Sequence, residues 1–75
     1  MENKKSVLIV EDDEEVAEYI NFSFMQDGFS TAIAKDGDEA YRLIKSSVFN
    51  LAVIDLVLPG RSGFEIIKML QPVIQ

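Results

Sequence analysis

The chain has 75 residues, enough for one small domain and too few for two with separate cores. It contains no cysteine and no histidine, which excludes disulfides, thiolate or imidazole metal sites, and a histidine general base. Thirteen acidic against seven basic residues give a net charge of −6, which argues against direct nucleic-acid binding and for cations or basic protein surfaces as partners.

At 48% hydrophobic residues the composition is that of a folded chain. A core this small leaves the folding free energy near balance, so a metal, a partner or self-association is expected to assist. No apolar run approaches the ~18 residues of a membrane span. Only four apolar residues follow the charged N-terminus before an acidic run, which is not a signal peptide pattern. The expected location is the cytoplasm, with no membrane partner.

Val7-Leu8-Ile9-Val10 is an unbroken, β-branched apolar run, the pattern of a strand buried on both faces. Acidic residues 11–15 close it. Val16, Ile20 and Phe24 then recur at helical spacing with Ala17 beside them, predicting a helix with one buried face. The acidic start suits the helix dipole, and Gly28 is placed to end the helix in the left-handed conformation. Tyr19, Phe22 and Met25 widen the apolar stripe, which isolated surface residues commonly do.

Residues 29–34 read as a second strand. Asp36-Gly37 is a turn signal, and Asp38 is the expected cap of a helix running to about Ser46, with Ala40, Leu43, Ile44 and Tyr41 as inward candidates. Leu51-Ala52-Val53-Ile54 is another buried strand, ending at Asp55. A loop containing Pro59-Gly60 follows. Ser62 and Glu65 form a capping box before Phe64, Ile67 and Leu70, and Pro72 ends or kinks that helix. Val73-Ile74-Gln75 reads either as the start of a strand or as an irregular helix extension.

The order β-α-β-α-β-α predicts an α/β fold with a parallel sheet and right-handed crossovers. Ligands of open sheets of this kind bind beyond the carboxyl ends of the strands. Those ends carry Glu11 and Asp12 after the first strand and Asp55 after the third. Side by side, such carboxylates repel, by about 4 kcal/mol for two charges 4 Å apart at an effective dielectric of 20. A hard divalent cation relieves this, and a small oxygen-only set favours Mg²⁺ that keeps several waters. Taken alone, the acidic run is equally a solvated helix start, and a lone Asp is ordinarily a cap or turn residue. The coincidence at two buried strand ends argues for a site, with Asp13, Glu14 and Glu15 left to the helix start.

These residues resemble the receiver domain of bacterial response regulators. The resemblance is carried by Val7-Leu8-Ile9-Val10-Glu11-Asp12-Asp13 and by residues 51–63, Leu-Ala-Val-Ile-Asp-Leu-Val-Leu-Pro-Gly-Arg-Ser-Gly. Asp27-Gly28-Phe29 and Asp36-Gly37-Asp38-Glu39-Ala40 also fit, so that residues 5–70 are covered. The resemblance implies a flavodoxin-like fold in which Asp55 is the phosphoacceptor, taking a phosphoryl group from a histidine kinase or phosphotransfer protein. It implies Mg²⁺ held directly by Asp12, assisted by Glu11 through water, and held also by Asp55 and by the main-chain carbonyl of Val57. Leu58-Pro59-Gly60 would shape the adjacent loop, and Gly63 would allow close approach near the third helix. The implied role is a signalling module in a phosphorelay, not an enzyme.

Residues 1–75 are expected to be a single truncated receiver domain, shortened before or within the fourth strand. The Ser or Thr and the Lys that the family places after its fourth and fifth strands have no counterpart by position, because Ser62 and Lys68 lie in or at the third helix. Phosphorylation is therefore expected to be impaired. The third strand is expected to present an unpaired edge, which favours a homodimer or higher homo-oligomer involving that strand, the third helix or the tail. The alternatives are a non-catalytic, self-associating interaction module of receiver ancestry and a small metal-dependent hydrolase, for which no acid-base partner is visible.

Overall fold

The computed structural model describes residues 4–55 and 63–70. Within them lie β1 (Ser6–Val10), α1 (Glu14–Gln26), β2 (Ser30–Ala34), α2 (Gly37–Ser46), β3 (Leu51–Ile54) and α3 (Gly63–Leu70). The expected metal-binding carbonyl of Val57, the loop with Pro59-Gly60, the Ser62 cap and the residues from Pro72 onward lie outside the described residues.

The three strands form one parallel sheet in the order β2-β1-β3. Val7, Leu8, Ile9 and Val10 of the central strand are fully buried, as a run apolar on both faces requires. Their burial, with that of Ile66, contributes about 1.5–3 kcal/mol per side chain. Alternation along the strands divides the packing between two faces. Leu8, Val10, Ala32, Ala34, Ala52 and Ile54 pack with Ala40, Leu43 and Ile44 of α2 and Ile66, Met69 and Leu70 of α3. On the opposite face Ala17 of α1 and Ile33 of β2 border a common cleft. The β1 to β2 and β2 to β3 connections run in opposite directions across the sheet, so crossovers of one hand place α1 and α2 on opposite faces.

Both ends of α1 are specified locally. Asp13, in extended conformation, caps the start by accepting hydrogen bonds from the N–H groups of Glu15 and Val16. At the other end Gly28 takes a φ of +88°. Its N–H donates to Met25 O, while Phe29 N–H donates to Phe24 O, the paired bonds of a Schellman motif. The accompanying apolar contact is the edge-on packing of Phe24 and Phe29, with ring centroids 5.3 Å apart. Phe29 thereby closes the helix, and β2 starts one residue later than the apolar pattern suggests.

Three local expectations are corrected. The cap of α2 is Asp36, not Asp38: Asp36 accepts the Glu39 N–H at 2.8 Å, and Glu39 Oε1 accepts the Lys35 N–H at 2.7 Å. The two carboxylates thus satisfy two otherwise orphan donors, and the helix begins at buried Gly37. In α3 the inward residue is Ile66, whereas Phe64 is 62% exposed. In α1 the buried position is Ala17, with Ile20 and Phe24 half-buried and Val16 turned outward at 42% exposure. Tyr19, Phe22 and Met25 lie on the surface.

At the amino end of the sheet β1 and β3 are clasped. Ser6 N–H donates to Asn50 Oδ1 at 2.8 Å, Asn50 N–H returns to Ser6 O at 2.9 Å, and Ser6 Oγ donates to Val48 O at 3.0 Å.

A Cβ at Gly28 would meet no neighbouring atom within 4 Å, so the cost of substitution there is backbone strain alone. Gly28→Ala is expected to lower stability by about 1 kcal/mol in urea denaturation, with an unchanged far-UV spectrum. An unchanged midpoint would contradict the positive φ.

Candidate metal centre

The site is built by the strand register. Val10 stands opposite Ala34 on one side and Ile54 on the other. The bonding continues one residue past the strands: Glu11 N–H donates to Ala34 O at 3.0 Å, and Asp55 N–H donates to Val10 O at 2.9 Å. Asp55 is thereby fixed at the carboxyl end of β3, beside the end of β1. Strand order reverses at β1, so this is the switch point at which open parallel sheets form a crevice.

Asp12 occupies the junction between Glu11, held by β2, and Asp13, held by α1. The Asp13 N–H donates to Glu11 Oε2 at 3.1 Å, which tightens that junction. One carboxylate oxygen from each of Glu11, Asp12 and Asp55 falls within 4.8 Å of the others. Glu11 and Asp55 are half-buried and Asp12 is exposed. Asp13 serves as the helix cap, and Glu14 and Glu15 fill the exposed first turn.

The donor set fits a hard divalent cation. Mg²⁺ binds oxygen at about 2.0–2.1 Å, so oxygens across its octahedral shell lie roughly 4.2 Å apart. The 4.8 Å spread is somewhat wider than that span, so a shared ion calls for a small inward movement or a water between it and one carboxylate, and exposed Asp12 leaves room for retained waters. Glu11 keeps acceptor capacity beyond its bond to Asp13, since a carboxylate offers about four lone-pair sites.

Beside the cluster a cleft of about 230 Å³ opens between α1 and β2, bordered by Glu11, Glu14, Ala17, Glu18, Ile33 and Lys35. The sequence reading did not single out Lys35 or Glu18. For Lys35 the signal was the pairing of β1 with β2, which sets the residue after Ala34 next to Glu11, and for Glu18 its place one turn beyond Glu14 on α1.

An open parallel sheet with a carboxylate cluster at its switch point marks a small α/β domain with a candidate cation site, and comparison gives the family. Residues 7–74 match the family model described as "Response regulator receiver domain", and the chain belongs to this family. It is 38% identical over 66 residues to the sensory transduction protein RegX3 of Mycolicibacterium smegmatis, covering 88% of this chain and 29% of that protein. Among solved structures, it resembles a CheY-like receiver domain protein from Methanospirillum hungatei with a TM-score of 0.86 and 29% identity, covering 91% of this chain and 54% of that one. The Thermotoga maritima response regulator TrrA, solved in complex with Mg²⁺-BeF, gives a TM-score of 0.78 at 29% identity, covering 83% and 54%. The chain thus spans under a third of the curated relatives it matches and about half of the solved chains. The flavodoxin-like receiver fold expected from the sequence is the fold observed. Among the described residues no helix is long and apolar enough to cross a membrane.

Because Asp13 caps α1 at the edge of the cluster, its role is separable from the site. Asp13→Ala is expected to cost about 1 kcal/mol in urea denaturation, and Asp13→Asn, which keeps the acceptor, a few tenths at most. Equal losses in both variants would assign the effect to charge instead of capping.

Proposed function

We propose that this chain is a phosphoacceptor module of a two-component phosphorelay, with Asp55 as the acceptor. The observation that carries the reading is the convergence of Glu11, Asp12 and Asp55 at the carboxyl ends of β1 and β3 in a chain of the receiver family. A carboxylate oxygen of Asp55 attacks the phosphorus of a phosphohistidine on a kinase or phosphotransfer protein. The new O–P bond gives an aspartyl phosphate, the P–N bond breaks, and the departing imidazole nitrogen retains the electron pair. The module acts in the cytoplasm and is itself a substrate and switch, not an enzyme.

Glu11, Asp12 and Asp55 would hold Mg²⁺, with Val57 offering its carbonyl. When bound, the cation neutralises charge on the transferring phosphoryl group. The cluster's oxygen-only chemistry and the Mg²⁺-BeF complex of the Thermotoga relative support this assignment. The chain's own contribution is positional: backbone bonds from Glu11 and Asp55 to the neighbouring strands hold the carboxylates at the mouth of the crevice.

We infer also that β3 takes part in self-association into a homodimer or higher homo-oligomer. Among the described residues β3 bonds to β1 alone, and Leu51 on it is 44% exposed. An edge of this kind is a template for another strand. Light scattering at micromolar concentration is expected to give at least twice the monomer mass, and a folded monomer would remove the inference.

Incubation with Mg²⁺ and acetyl phosphate is expected to give an alkali-labile mass increase that Asp55→Asn abolishes. Asp12→Ala is expected to weaken Mg²⁺ binding by about tenfold or more, the scale of one lost charged contact. Labelling that persists in Asp55→Asn would refute the acceptor assignment.

A further inference from the structure

We propose that Lys35 is a tethered counter-cation of the acidic cluster, a positioning residue that weakens Mg²⁺ binding and sets its salt dependence. The inference rests on the reading of Glu11, Asp12 and Asp55 as the Mg²⁺ site. Lys35 follows Ala34, whose carbonyl accepts the Glu11 N–H at 3.0 Å. Neighbouring strands lie about 4.8 Å apart, so the Lys35 backbone passes next to that of Glu11. That backbone is anchored, because the Lys35 N–H donates to Glu39 Oε1 at 2.7 Å. Lys35 and Glu11 border the same cleft with Glu14 and Glu18. Lys35 is the sole basic residue among the described residues lining it.

Residues carrying three carboxylates and one ammonium therefore border one cleft, with Lys35 itself exposed to solvent. In the absence of divalent metal the ammonium offsets part of the cluster's negative charge. When Mg²⁺ binds, the ammonium and the cation repel. Glu14 and Glu18 border the same cleft and by charge favour an ammonium that stays near it. A unit charge and a double charge about 10 Å apart in water interact enough to change an affinity roughly two- to fivefold at low salt. The effect fades once the screening length falls to about 3 Å near 1 M salt.

Isothermal titration of the 75-residue chain with MgCl₂ tests this. Lys35→Gln is expected to raise Mg²⁺ affinity about two- to fivefold at roughly 10 mM ionic strength, and to differ little from wild type near 1 M. Lys35→Arg, which retains the charge, is expected to match wild type at both. A structural role would instead lower the melting temperature without a salt-dependent change in affinity. Saturable wild-type binding with an unchanged or weakened Lys35→Gln overturns the counter-cation and leaves the metal site standing. Wild-type binding no stronger than that of Asp12→Ala overturns the metal site and the counter-cation together.

Discussion

The structure depends on the parallel pairing of β1 with both neighbours. β1 has no polar side chain between Val7 and Val10, and all four of those residues are buried. It is stable only as the middle strand, covered by helices on each face. Once it takes that place, the register with β2 and β3 is fixed by ladder bonds, and the next residue on each strand emerges at the sheet's end. The same bonds that bury the core therefore deliver Glu11, Asp12 and Asp55 to one place. Core formation and site assembly are one event.

That coupling brings like charges together. Three carboxylates of which two are half-buried would not be gathered by the hydrophobic effect acting on them alone. They are gathered because the backbone gives them no alternative, and the energy comes from the apolar strands behind them. A site made this way is poised to take up positive charge, whether from a divalent ion, a lysine on the neighbouring strand or a basic partner.

Much of this was legible in the sequence. The uninterrupted Val7 to Val10 and Leu51 to Ile54 runs, separated by helical periodicity, give the strand and helix order, and the acidic residues at their ends mark the site. Gly28 declared the end of α1 because few other residues tolerate its φ. What was less legible depended on competition between near-equivalent neighbours. Asp36 and Asp38 are both good caps, and the choice went to Asp36 because Gly37 is buried and already helical. Phe64 and Ile66 are both apolar, and the phase of an eight-residue helix is decided by contact with α2 and the sheet instead of by its own pattern. Val16 lost its expected inward position to Ala17, the smaller residue at the buried position of α1. Lys35 drew no notice because its relation to Glu11 exists only across strands that are 24 residues apart in register.

The two ends of the sheet are fastened by opposite physics. At the amino end, Ser6 and Asn50 knit β1 to β3 with uncharged hydrogen bonds that reinforce one another. At the carboxyl end the same two strands finish in groups that push each other apart. The ladder between the two strands runs on to the Asp55 N–H bond to Val10 O at 2.9 Å, so the backbone holds closed the end that the side chains would push open.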